Sequence, residues 1–180
     1  MLFRSHDDDT ETELTSDDVQ AVVQQAARAA VTMRSEEGER LRADLQGRLA
    51  AIENEMQTIA ARAPQRLTNE RDRLRKAISD LASEAALDEE RLAREVAFLA
   101  ERWDISEELV RLRSHIELFR ETLDAETADP VGKRLGFLIQ EMHREANTIG
   151  SKANDAVIEH RVIAIKDEIE RLREQIENVE

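Results

Sequence analysis

From Ile158 onward the chain sets Ile158, Val162, Ile165, Ile169, Leu172, Ile176 and Val179 at steps of four and three, with no break. That spacing gathers apolar side chains onto one stripe of an α-helix, whose turn takes about 3.6 residues. A β-strand cannot use it, because its faces alternate every second residue. Such a stripe has to lie against another apolar surface, so helix-on-helix packing is the architecture it permits. The same stepping runs upstream through Val19, Val22, Ala26, Ala30 and Met33, then Leu41, Leu45, Leu49, Ile52, Met56 and Ile59. It returns in Leu67, Leu74, Ile78 and Leu81, and in Leu92, Val96, Leu99 and Trp103. Two stricter stripes follow, Ile105 to Leu123 and Val131 to Ile149. With 37% charged and only 3% aromatic residues, the chain is suited to aliphatic seams on charged helices. The expected fold is all-α: a long antiparallel helical hairpin of coiled-coil character, followed by a C-terminal helical bundle.

Breaks in the pattern set the boundaries. Residues 1–14, MLFRSHDDDTETEL, have no apolar period and an acidic run, which predicts a disordered tail. Thr15 with Asp18 three residues on reads as a capping box, with Leu14 and Val19 as its staple. Gly38 and Gly47 mark expected bends, and Pro64 is the expected turn between the arms of a hairpin spanning 15–86. Asp88, Asp104 and Asp129-Pro130 read as the starts of later helices within a domain at 87–180. Gly150 is the expected stop of one helix, and Asn154 or Asp155 the cap of the last.

Several functions are disfavoured. Without cysteine there are no disulfides, thiolate nucleophiles or Cys-based zinc sites. No apolar run approaches the roughly 18 residues of a membrane span, so a cytoplasmic protein is expected. A net charge of −14 opposes a generic nucleic-acid surface. The acidity is uneven, however, since residues 105–152 hold nine acids and seven bases. No Gly-rich phosphate loop, HExxH or nucleophile elbow occurs.

One stretch departs from the repetitive weave. In GFLIQEMHREANTIGSKAND, residues 136–155, polar side chains crowd around Gly150. One reading makes Asn154, Ser151 and Asp155 ordinary caps, and Glu141, Arg144 and Glu145 surface ion pairs. The other joins a helix N-terminus, Ser151 and Lys152 into an anion-binding corner, with Glu141 and Glu145 as oxygen ligands for Mg²⁺ or Mn²⁺. A second constellation lies in SEELVRLRSHIELF, where Glu108, Arg111 and His115 fall on one line of a helix, flanked by Arg113 and Ser114. His115 there is an interface residue, or a proton shuttle or metal ligand, since histidine exchanges protons near neutral pH.

DEERLAREVAFLAERWDISEELVRLRSHIELFRETL, GKRLGFLIQEMHREANTIGSKAND and IKDEIERLREQIENVE, in that order, resemble the C-terminal part of the YicC-like endoribonucleases of bacteria. MRSEEGERLRADLQGRLAAIE resembles the same family's central helices. The likeness covers roughly residues 20–180. It implies a metal-dependent enzyme that cleaves RNA with a divalent ion such as Mn²⁺, assembled as a ring-like homo-oligomer, a hexamer, enclosing RNA. The family's RSMTGF-like start and N-terminal α/β domain have no counterpart here, which implies a truncated member. On the matching motifs, Glu141, Glu145 and His115 are the expected catalytic residues, and Glu141, Glu145, Glu108 and Asp155 the expected metal ligands. Arg111, Arg113, Arg144, Asn147, Ser151, Lys152 and Asn154 are the expected RNA contacts. The competing expectation is a non-catalytic helical RNA-binding adaptor or scaffold for RNA degradation.

Overall fold

The structure, a computed structural model, describes residues 15–81, 88–125 and 131–177. These form α1 (Ser16–Leu81), α2 (Glu89–Arg102), α3 (Ser106–Asp124), α4 (Gly132–Ala153) and α5 (Ala156–Ile176). The described residues contain no strand, so the fold is all-α. None of these helices is long and apolar enough to cross a membrane. The expected tail at 1–14, the Asp129-Pro130 start and Val179 lie outside the described residues.

Two compact units result, Met1–Leu41 and Arg42–Glu180. In the first, α1 opens on the expected capping box. Thr15 Oγ1 accepts from the Asp18 amide at 3.2 Å, and the Thr15 amide donates back to the Asp18 carboxylate at 3.1 Å. The Thr15 hydroxyl, which also donates to the Asp18 carboxylate at 2.5 Å, and then the Thr15 amide hold the Asp18 carboxyl below its ordinary pKa. Every residue from Thr15 to Arg40 is exposed, including Val19, Val22 and Met33 of the apolar stripe.

In the second unit the seams are buried. Leu45, Leu49, Ile52, Met56 and Ile59 of α1 enter the core with Leu112, Ile116 and Phe119 of α3. Leu135, Leu138, Met142, Ala146 and Ile149 of α4 join them, as do six apolar residues of α5 from Ile158 to Ile176. Helix α4 packs closely against both α3 and α5. Ion pairs fix the directions: Arg48 with Glu168, Glu55 with Arg161 and Arg62 with Asp155 set α1 antiparallel to α5. Arg120 holds Glu53 through two bonds of 2.6 and 2.8 Å. That pairing keeps the Glu53 carboxyl below its ordinary pKa.

Two expectations fail for physical reasons. The hairpin turn at Pro64 does not form, and α1 runs straight through it. Proline removes one helical N–H and crowds the preceding turn, yet tertiary bonds on either side hold the helix. Arg62 binds Asp155, and Arg66 donates to the carbonyls of Ala153, at 2.8 Å, and Trp103. Those carbonyls end α4 and α2, where the helix dipole favours a cation. The Arg66 guanidinium also stands 5.9 Å from the centroid of the Trp103 ring.

The second failure concerns Gly150, which does not end α4. The helix continues to Ala153, and Asn154 takes the left-handed position with φ 44°. Gly150 serves a different purpose: a Cβ there would lie 3.2 Å from Val162 Cγ1, so its missing side chain lets α4 and α5 approach. Asp155 then caps α5, accepting from the amides of Val157 at 3.0 Å and Ile158 at 3.1 Å. Burial acts to raise the Asp155 carboxyl, but Arg62 and the cap amides outweigh it and hold the pKa below the ordinary 3.8.

Replacing Gly150 by Leu is expected to cost about 1–3 kcal/mol through overpacking, with part of the loss recovered by adding Val162→Ala. Gly47→Ala, with nothing near its Cβ, is expected to stabilise by roughly 0.5–1 kcal/mol. Urea unfolding of the four proteins checks both. Asp155→Asn retains a capping residue and removes the charge facing Arg62, with an expected loss of roughly 1–2 kcal/mol at pH 7. Because the folded pKa of Asp155 is depressed, its contribution is complete above the unfolded value and disappears as pH falls through the folded one. The gap between the two proteins should therefore close below about pH 4, as followed by unfolding from pH 7 to 2.

Candidate metal centre

Glu141 and Glu145 stand one turn apart on α4, which places both carboxylates on the same face. Helix α3 packs antiparallel along that face and delivers His115. One donor atom from each of the three residues lies within 4.8 Å of the other two. Glu145 is only 4% exposed, whereas His115 and Glu141 are half-buried, so the cluster opens from a closed floor to an accessible rim. Both glutamates flank positions of the apolar seam, Leu138, Met142 and Ile149, and packing of that seam draws them inward. At the rim, Arg144 approaches Glu141 at 3.5 Å with its own side chain 71% exposed.

Two carboxylates held together beside one loosely placed guanidinium concentrate negative charge. One imidazole nitrogen and carboxylate oxygens are the donor set of divalent ions with mixed N/O preference, including Mn²⁺. The residues therefore fit a divalent cation with coordination positions left open.

The other expected ligands are engaged elsewhere. Glu108, two turns before His115 on α3, accepts from Lys152 Nζ at 2.7 Å. Asp155 divides its two oxygens between the α5 cap and Arg62. Neither joins the cluster.

The expected RNA contacts also separate. Arg111 lies one turn from His115 on the same line of α3 and pairs with Glu107. Arg113 points away from that line, into a recess with Glu53, Met56 and Gln57 of α1. Asn147 bonds to the His143 ring at 3.0 Å, and the Ser151 hydroxyl donates to the Thr148 carbonyl at 3.0 Å. Lys152 is held by Glu108, and Asn154 forms the left-handed link to α5. The anion-binding corner expected at Gly150 is not assembled, because α4 runs past it. Arg111 and Arg144 remain as exposed cations beside the cluster.

Arg66, which helps position the end of α4, went unrecognised in the sequence. Its signal was present: Ile59, Ala63 and Arg66 continue the four-three stepping, so a charge occupies a seam position. Reading Pro64 as a turn concealed it.

Residues 59–180 match the family described as endoribonuclease YicC-like, C-terminal. The chain is 42% identical over 149 residues to a probable endoribonuclease YicC of Clostridioides difficile, covering 82% of this chain and 50% of that protein. It is 37% identical over 150 residues to a probable endoribonuclease YicC of Haemophilus influenzae, covering 83% of this chain and 51% of that protein. The chain thus spans about half the length of the curated relatives it matches. With a helical unit built on these seams and a match across two-thirds of its residues, the chain belongs to the YicC-like endoribonuclease family.

Proposed function

We propose that this chain carries the metal centre of an endoribonuclease that hydrolyses RNA phosphodiester bonds with Mn²⁺ or Mg²⁺, in the cytoplasm. The observation that carries the proposal is the convergence of His115, Glu141 and Glu145 across the α3–α4 contact. The relatives, probable endoribonucleases, are consistent with the reaction.

Glu141, Glu145 and His115 would hold the ion, which supplies Lewis-acid charge at the scissile phosphate when bound. The half-buried Glu141 and the rim position of His115 leave an approach from solvent. Arg111 and Arg144 position the RNA backbone. Arg111 is paired with the exposed Glu107, and Arg144, itself 71% exposed, stands 3.5 Å from the half-buried Glu141; pairs this exposed or this long contribute little, so turning either guanidinium toward a phosphate costs little. A single-stranded or looped segment suits a rim of this kind better than a rigid duplex, because its phosphates can turn toward the two arginines.

The assembly implied by the family likeness, a ring-like homo-hexamer, belongs to the same proposal. Its support is the open stripe of Val19, Val22 and Met33, between 53% and 71% exposed, which a monomer leaves in water.

Cleavage of an end-labelled structured RNA, with Mn²⁺ or with chelator, tests the activity. Metal-dependent cuts are expected from the wild type, with a loss of at least about 100-fold in Glu141→Gln/Glu145→Gln at unchanged helicity. RNA binding without cuts would replace the enzyme by the adaptor. Undiminished cleavage by the double variant would remove the centre. Light scattering is expected to give the mass of six 20.6 kDa chains, and a monomer would contradict the assembly.

A further inference from the structure

The same antiparallel contact that forms the metal centre carries a second polar junction. Lys152 Nζ donates to Glu108 Oε1 at 2.7 Å, and Glu108 is 4% exposed. The other Glu108 oxygen is buried with no hydrogen-bond partner. A carboxylate in that setting depends on its single cation. The Lys152 side chain is itself 37% exposed, but its removal leaves the buried Glu108 carboxylate uncompensated, which is more costly than losing a fully exposed pair.

The position of the pair is what gives it meaning. Glu108 precedes His115 by seven residues on α3, and Lys152 follows Glu145 by seven on α4. In antiparallel helices those equal offsets put the ion pair and the cluster on one line, about 10 Å apart at 1.5 Å per residue. Between them lie the buried Leu112 of α3 and the buried Ala146 and Ile149 of α4. Aliphatic packing is non-directional, and ridge-and-groove contacts recur every turn, so it resists a slip of about 5.4 Å only weakly. A salt bridge anchored on the buried Glu108 carboxylate does not tolerate such a slip.

We infer that the Lys152–Glu108 pair is a register key: it fixes α3 against α4 so that His115 meets Glu141 and Glu145. Both are positioning residues, neither metal ligand nor RNA contact. The inference rests on the reading of the three-residue cluster as a metal centre. Buried polar groups that fix register in helical assemblies provide the physical precedent, since they add specificity more than stability.

The test separates register from stability. In Glu108→Leu/Lys152→Met, apolar side chains of similar volume replace the pair, and the melting temperature is expected to stay close to that of the wild type. Its Mn²⁺ affinity, read by calorimetry on the full chain, is expected to fall about 10- to 100-fold, as for residues that orient metal ligands. The charge swap Glu108→Lys/Lys152→Glu restores the pair and is expected to bring affinity back to within about threefold of the wild type. Wild-type affinity in the apolar variant overturns the inference. If that variant does not fold, the swap decides, and a folded swap with Mn²⁺ binding still lost overturns it.

A readout without metal keeps the two readings apart. The chain has no cysteine, so Val110→Cys/Asn147→Cys, at exposed positions on α3 and α4, takes a pair of nitroxide labels. Their distance distribution by double electron–electron resonance should be narrow with the pair intact. It should broaden or move by about one 5.4 Å turn in the apolar variant. An unchanged distribution overturns the register key whatever the metal does. A wild type that binds no Mn²⁺ but shows the expected change in distance overturns the metal centre and leaves the key standing.

Discussion

The antiparallel packing of α3 on α4 is the constraint on which the rest depends. Neither helix holds a complete site: α4 has two carboxylates on one face and α3 has a single imidazole. Burial of Leu112, Ile116 and Phe119 against Leu138, Met142 and Ile149 supplies the free energy that joins them. At about 25 cal/mol per Å² of apolar surface removed from water, such a seam offsets the cost of confining charged groups beside it. Glu145 is buried because its neighbours Met142 and Ile149 are, and this draws a carboxylate out of the water that would otherwise solvate it.

The remaining helices secure that pair. Helix α5 closes over the other side of α4, and Gly150 permits the approach to Val162. Residues 42–66 of α1 lie along the bundle and fasten it through Arg48, Glu53, Arg62 and Arg66. Arg66 acts at two helix ends simultaneously and limits how far the α4 terminus can move. The proline two residues before it is tolerated because these side chains, and not the local backbone, hold α1 in place.

Much of this was legible in the sequence. The stripe from Ile158 to Ile176 is buried residue for residue, since an aliphatic repeat on a helix has one way to leave water. The caps at Thr15 and Asp88 were equally readable, and that of α5 was narrowed to Asn154 or Asp155, because capping is decided within three residues of chain. His115, Glu141 and Glu145 could be named from motif and spacing. Long-range choices were hidden. Nothing local says that Pro64 is overruled by arginines bonding to residues some 40 and 90 positions away. Spacing likewise could not tell that Glu108 would take Lys152 or that Asp155 would take Arg62. Arg113 was grouped with His115 by proximity in sequence, although two residues along a helix turn a side chain to a different face. The stop at Gly150 was misjudged because a glycine that ends a helix and one that admits a neighbouring helix look alike in a single sequence.

On the proposed function, folding creates one divalent-ion position from two helices. Crystals grown with Mn²⁺ and measured at the manganese absorption edge test it most directly. An anomalous peak is expected at coordination distance, about 2.0–2.6 Å, from His115, Glu141 and Glu145 together. A strong peak at a different set of side chains, with these three left without metal, would contradict it.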